Sequence, residues 1–384
     1  MTNPYIVIFR ETVALSNVTQ TLQGLVQNVP EMKIKRIFTH ALPRGAAVDL
    51  PVSAIVNLSQ HPSVLRVEPD LMVQASAETV PWGIQYVNSP HRASGDTDPS
   101  HLVSVPSVDV YILDSGIATH PDLNIVEQVS FIEPAEAISN NHGTMCAGIA
   151  AARDNDSGVV GVCPGASLHS IQVLNSAGQG LFSWILAGID HVLNQKEAEP
   201  LKRMVMNMSF GLETGSTSYN SLDMAVDNAC LQGVPCVVAA GNSGTNASLT
   251  SPAHVAMALT IGAFDINSNW ASFSNFGSQI TVNGPGVSIL STSLGNGFAT
   301  GSGTSFSAPF VTGAVAIYLS RWPNYEPTRP TTAQIKAGIL KLSLPGVISG
   351  VPPNTTTASV HLPTAVLSNQ TFLEPLVPCI LTAL

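Results

Sequence analysis

Between residues 108 and 240 the chain repeats one grammar. A short, almost wholly apolar run stops on a small or polar residue, and a stretch with helical spacing follows. Residues 108–113 end on Asp114. Residues 168–174 precede a helical pattern near 183–194, and 205–208 precede another near 220–231. Residues 235–240 end on Gly241-Asn242. Strands apolar on both faces have no solvent side, so they need cover above and below. With helices between them, a parallel sheet wrapped by helices supplies that cover. The expected fold is therefore α/β: a doubly wound, mostly parallel sheet with helices on both faces. In such sheets ligands and catalytic groups collect at the carboxyl ends of the strands.

The flanks obey different rules. A strand-like run at 5–9 is followed by Leu15, Val18, Leu22, Leu25 and Val29, the spacing of an amphipathic helix. Met32 and Ile34 alternate with Lys33 and Lys35, as in a half-buried strand. A third strand near 45–50, a short helix at 52–60 and a last strand at 64–69 complete a β-α-β-β-α-β order, the small α+β arrangement called ferredoxin-like. Residues 70–80 lose pattern and read as a linker. After about residue 345 the pattern fades again into an irregular extension. There Phe372, Leu373, Leu376, Ile380 and Leu381 either cover the back of the sheet or belong to a partly mobile segment.

Composition excludes several classes. Charged residues make up only 10% of the chain and hydrophobic ones 45%, the reverse of what disorder needs. A net charge of −10 with 15 Lys and Arg argues against nucleic acid, whose partners cluster basic residues. No basic amphipathic stretch seeks a membrane, and no apolar run reaches the ~18 residues of a spanning helix. The start, Met1-Thr2-Asn3-Pro4, has no export-signal pattern. Cys146, Cys163, Cys230, Cys236 and Cys379 match no metal pattern, and the odd count leaves at least one free thiol. A reduced interior and a secreted form with one or two bridges both fit.

Three blocks carry chemistry. In Gly301-Ser302-Gly303-Thr304-Ser305-Phe306-Ser307-Ala308-Pro309 a glycine-rich lead-in opens an apolar helix. Ser305 then lies at a helix N-terminus, where free N–H groups and the dipole favour developing negative charge. His142 opens a run of small residues, His142-Gly143-Thr144-Met145-Cys146-Ala147-Gly148, and Asp114 closes an apolar strand. Alone, each has a plain structural explanation: a helix cap, a helix-start histidine, a strand-ending turn. Together they supply a nucleophile, a base and an orienting carboxylate, in the chain order Asp, His, Ser. The Gly-x-Ser-x-Gly elbow of the α/β-hydrolases does not occur.

These blocks resemble those of subtilisin-like serine proteases (subtilases) of the proteinase K and bacterial subtilisin type. The resemblance covers residues 77 to about 345. A fourth block, Ala239-Ala240-Gly241-Asn242-Ser243, resembles the family's oxyanion block and implies a side-chain donor role for Asn242. It implies catalytic roles for Asp114, His142 and Ser305, and substrate-binding walls at Ser209, Phe210 and Gly211 and at Ala239, Ala240 and Gly241. Residues 4–74, ending Val67-Glu68-Pro69-Asp70, resemble the family's inhibitory propeptide. The implied division is a propeptide at 1–76, a catalytic domain at 77–345 and an extension at 346–384.

The implied activity is a serine endopeptidase with broad, apolar-leaning specificity, made as a self-cleaving zymogen. Polypeptides are its substrates and its own propeptide is an intramolecular inhibitor. The resemblance also implies a monomer, an extracellular setting and a free thiol at Cys146 sensitive to mercurials. Residues 153–161 resemble the family's calcium loop. For Ca²⁺ the implied ligands are Glu78, Asp122, the Asn155 side chain and the carbonyls of Arg153, Ser157 and Val159, all hard oxygen donors. Small residues at the junction point to cleavage after Ala75 or Ser76. A binding protein on an inactive protease scaffold is the competing class, and a peptidyl ligase is a third. All four catalytic positions are filled, which favours neither.

Overall fold

The structure is a computed structural model and describes residues 2–29, 31–38, 44–70, 79–87, 108–322 and 329–362. The chain divides into two compact units, Met1–Ala75 and Ser76–Leu384.

The first unit has the elements β1 (Thr2–Phe9), α1 (Val18–Asn28), β2 (Lys33–Ile37), β3 (Gly45–Pro51), α2 (Ile55–Ser59) and β4 (Val64–Pro69). Its four strands form an antiparallel sheet in the order β2-β3-β1-β4. Val18, Leu22 and Leu25 of α1 pack with Val7, Phe9, Val48 and Leu50 in one core, so the helical spacing marks the buried face. Leu15 departs from the pattern: it falls in a short 3-10 turn ahead of α1 and is exposed.

In the second unit the elements are α3 (Trp82–Val87), β5 (Asp109–Asp114), β6 (Ile125–Ser130), α4 (His142–Ala151), β7 (Ser167–Gln172), α5 (Phe182–Ala198), β8 (Met204–Met208), β9 (Leu212–Glu213), α6 (Ser221–Leu231), β10 (Cys236–Ala239), β11 (Thr250–Ser251), β12 (Leu259–Phe264), β13 (Ile280–Pro285), β14 (Ile289–Ser293), β15 (Gly297–Gly301), α7 (Thr304–Arg321) and α8 (Thr332–Leu342). Seven strands make one parallel sheet in the order β13-β12-β10-β8-β5-β7-β6.

The sheet separates two cores. Val110 and Ile112 of β5 pack with residues of α4, α7 and α8, whereas Tyr111 and Leu113 pack with α5 and α6. This alternation is what an apolar central strand requires when both faces are covered. Of the seven strands of this sheet, only β6, at the edge, shows alternating burial.

Residues after 345 are less detached than their composition implies. The Asn283 N–H donates to the Ala358 carbonyl at 2.9 Å and the Val360 N–H to the Asn283 carbonyl at 2.8 Å. Val360 and Leu362 are buried. The segment thus runs along the exposed edge of β13, where two or three ladder bonds suffice and no repeating apolar pattern is needed. Phe372, Leu373, Leu376, Ile380, Leu381 and Cys379 lie outside the described residues. Cys146, Cys163, Cys230 and Cys236 are free and buried. Among the described residues, no helix is long and apolar enough to cross a membrane.

Candidate active site

Asp114 is the last residue of β5 and is fully buried. His142, the first residue of α4, points its Nδ1 at this carboxylate, 2.8 Å from Oδ1 and 2.9 Å from Oδ2. A carboxylate only accepts, so Nδ1 carries the proton and Nε2 is left as the free ring nitrogen. The backbone holds both partners. The Ser115 N–H donates to Asp114 Oδ1 at 2.7 Å, the Gly143 N–H to Ser115 Oγ at 3.1 Å, and the Ala118 N–H to Thr144 Oγ1 at 2.9 Å. Burial pushes the imidazole pKa down, but the Asp114 charge and hydrogen bond outweigh it. The net shift is upward from the ordinary 6.5.

Ser305, half-buried, is the second residue of α7. Its neighbour Phe306 lies beside the imidazole, with ring centroids 5.4 Å apart. The Ser305 carbonyl accepts the Ser209 hydroxyl at 2.7 Å and the Cys146 thiol at 3.5 Å. Behind Ser209 the bonds continue inward. Asn207 Nδ2 donates to Ser209 Oγ at 2.9 Å, and the Thr312 hydroxyl donates to Asn207 Oδ1 at 2.9 Å. Asn207, Ser209 and Thr312 are all buried, so this chain ties the serine's backbone to β8 and the body of α7. One polar side-chain atom from each of Asp114, His142 and Cys146 lies within 4.8 Å of the other two. Burial, then the Asp114 charge, push the Cys146 thiol well up and keep it protonated.

The start of α7 explains the setting of Asn242. Gly303, at φ 153°, occupies backbone space closed to other residues and offers no side-chain cap. Asn242 caps the helix from the loop after β10: its Oδ1 accepts the Thr304 N–H at 2.8 Å and the Thr304 hydroxyl at 2.9 Å. With Oδ1 so used, the Nδ2 donor is the end of the amide left to meet a substrate. Thr304 Oγ1 also accepts the Gly241 N–H at 3.1 Å.

The residues expected to wall the substrate pocket divide by depth. Phe210 is half-buried and Gly211 exposed, and they lead from β8 to β9, which pairs antiparallel with β11. Ser209 turns its hydroxyl inward to Ser305. Ala239 and Ala240 are buried, Ala240 in a small cluster with Ala247, Ala253 and Ile280. Gly241, at φ 104°, meets the surface. Local sequence reasoning missed the support of Thr304, Asn207 and Thr312; Thr304 carries a signal in its place inside the serine block, and Asn207 in opening the run 207–211 that resembles the substrate-binding strand.

The loop after α4 gathers around Asp122, which is buried. Asp122 Oδ2 accepts the Val159 N–H at 3.1 Å, Oδ1 accepts Asn155 Nδ2 at 3.4 Å, and its carbonyl accepts the Arg153 N–H at 2.7 Å. Asn155 Oδ1 accepts the Ser157 N–H at 3.2 Å and the Ser157 hydroxyl at 3.0 Å. Asp122, Arg153, Asn155, Ser157 and Val159 therefore come together. Glu78 and the junction residues Ala75 and Ser76 lie outside the described residues. The next residue, Thr79, bridges to Val159 and donates its N–H to the Gly158 carbonyl at 2.7 Å. A buried carboxylate met here by amides, amid carbonyl and amide oxygens, is a donor set that suits Ca²⁺.

A doubly wound sheet with an Asp–His pair beside a serine at a helix N-terminus defines a hydrolase of the subtilisin type. The profile of the subtilase family matches residues 107–356. Subtilisin E of Bacillus subtilis (strain 168) is 36% identical over 340 residues, 86% of this chain and 83% of that protein. The alkaline protease of Shouchella clausii is 34% identical over 329 residues, 84% and 82% of the two chains. A crystal structure of a cold adapted subtilisin-like serine proteinase superposes with a TM-score of 0.61 at 28% identity, covering 75% of this chain and 98% of that one. The chain belongs to the subtilase family and is a serine endopeptidase.

Proposed function

We propose that this chain hydrolyses internal peptide bonds of polypeptides through an acyl-enzyme on Ser305. His142 Nε2 takes the hydroxyl proton as Ser305 attacks the carbonyl, then donates it to the leaving amine. Asp114 holds the imidazole and stabilises its charged form. Asn242 Nδ2 and the Ser305 N–H receive the oxyanion. The observation that carries this reading is the paired hydrogen bond from His142 Nδ1 to Asp114, beside the helix start that bears Ser305. Small, uncharged walls at Gly211, Ala239, Ala240 and Gly241 support broad specificity with apolar or aromatic side chains favoured. An extended substrate would pair with the strand-like edge at 209–211.

We further infer that residues 1–76 act as an inhibitory propeptide and that the active site cuts its own junction after Ala75 or Ser76. Asp122, the Asn155 side chain, the carbonyls of Arg153, Ser157 and Val159, and Glu78 would hold Ca²⁺. Bound there, the ion would supply positive charge against the buried Asp122. Thr79 at the loop is one residue from Glu78, so the new N-terminus needs only a short reach to complete the site. Two measurements test this reading together: the N-terminus of the mature protein and cleavage of a peptide library. A mature chain starting at Ser76 or Ala77 and a preference for apolar side chains are expected. A start far from residue 76, or a strict demand for a charged side chain, contradicts it.

The acid limb of activity follows from the same pair. His142 must be neutral to accept the proton, and Asp114 raises its pKa. Activity per active site should therefore rise with pH along a limb set above 6.5. Asp114→Asn removes the raising cause and leaves burial, so the limb should move below 6.5. The rate constant should fall by about 10⁴-fold. A pH–rate profile unmoved by the substitution would assign the limb to another group.

A further inference from the structure

Asn275 lies outside every motif, in the turn after β12, yet it is fully buried beside the oxyanion loop. Its N–H donates to the Gly241 carbonyl at 2.9 Å. Its Nδ2 donates to the Ala240 carbonyl at 3.0 Å and to Thr250 Oγ1 at 3.1 Å. Its Oδ1 accepts the Ser243 N–H at 3.1 Å, the Thr245 N–H at 3.0 Å and the Thr245 hydroxyl at 3.3 Å. One side chain thus uses both ends of its amide, and its partners bracket Asn242 on either side in sequence. Gly241 fits the arrangement: a Cβ there would collide with Asn275 Nδ2.

We propose that Asn275 is a positioning residue for the oxyanion site, fixing the backbone at 240–245 so that Asn242 keeps its amide on Thr304 and its Nδ2 toward the developing charge. The proposal rests on the reading of Asn242 as an oxyanion donor. Asn242 is itself exposed, and the Thr304 bonds hold only its Oδ1 end. Where its Nδ2 lies depends on the backbone from which it springs, and a donor in such a site must sit about 2.7–3.1 Å from where the oxyanion forms. Asn275 holds that backbone without touching the substrate.

The test is a double-mutant cycle on the full chain. Asn242→Ala, Asn275→Ala and the pair are expressed and matured, and rates are normalised to end-point fluorophosphonate labelling. Asn275→Asp is a second single variant: it keeps the acceptor and the volume but loses the two Nδ2 donations. Either Asn275 variant should lower kcat about 10- to 100-fold, less than the roughly 10²- to 10³-fold cost of removing an oxyanion donor outright, with KM changed less than about threefold. In the Asn242→Ala background the same change should lower kcat by less than about threefold, because the group it positions is gone. A peptide aldehyde that mimics the tetrahedral adduct should lose affinity in parallel with kcat, whereas a product-like peptide should not. Full additivity in the cycle, or kcat unchanged in a variant that labels fully, overturns the proposal. If Asn242→Ala alone leaves kcat unchanged, the underlying reading of Asn242 fails instead.

Discussion

Ser305→Ala should abolish proteolysis, by about 10⁶-fold in kcat, a magnitude carried over from the same deletion in a bacterial subtilisin. It should also leave the junction at 75–76 uncut, so that the full-length chain accumulates. The two effects share a cause, since the site that hydrolyses substrates is the one expected to cut its own precursor. The substitution is structurally mild. It removes one hydroxyl from a half-buried side chain, and the Ser305 carbonyl that accepts from Ser209 and Cys146 is unchanged. The uncut Ser305→Ala chain should therefore still unfold cooperatively, which separates lost chemistry from lost structure. His142→Ala should behave alike. Gel analysis of the expressed chain decides the point: normal processing of Ser305→Ala would sink self-cleavage.

Chelation should have the next largest effect. A site filled at 100 times its dissociation constant stabilises the native state by about 2.7 kcal/mol, which for a domain of this size is roughly 4–5 °C in melting temperature. EDTA added to mature enzyme should lower the transition by that order. Asp122→Ala should lower it without EDTA and remove the sensitivity to EDTA, because Asp122 carries the buried charge around which the loop is built. An unchanged transition in EDTA would show that residues 153–159 hold no calcium.

The fold was legible where burial is two-sided or strictly periodic. Residues 108–113, 205–208 and 235–240 announce central strands because they are almost wholly apolar, with Asp109 and Asn207 the polar residues among them, and Val18, Leu22 and Leu25 announce α1 through their spacing. The edge strand β6 and the ribbon of β14 and β15 were not read. A half-exposed strand of six residues, such as Ile125–Ser130, carries little pattern beyond local alternation. In Gly297–Gly301 the two end glycines leave almost no apolar sequence to read. The outer strands β12 and β13 were missed too, since Leu259–Phe264 holds a glycine and Ile280–Pro285 ends in Asn-Gly-Pro.

At the site, Asp114, His142 and Ser305 were visible because each closes or opens an element inside a distinctive block. Their support was not. Thr312 bonds Asn207 across 105 positions of sequence, and the Asn275 side chain bonds residues 25 to 35 positions away, and a lone polar residue on a buried strand, helix or turn looks locally like any other.

Activity turns on one activated serine, and reaction with a fluorophosphonate followed by peptide mapping addresses it directly. The folded, processed chain should carry a single adduct on Ser305. The adduct should vanish in His142→Ala and in protein unfolded before exposure, because an unassisted serine hydroxyl is not nucleophilic enough to react. No adduct in the folded wild-type chain, or an adduct on another serine such as Ser209, would contradict it and favour a binding protein built on a protease scaffold.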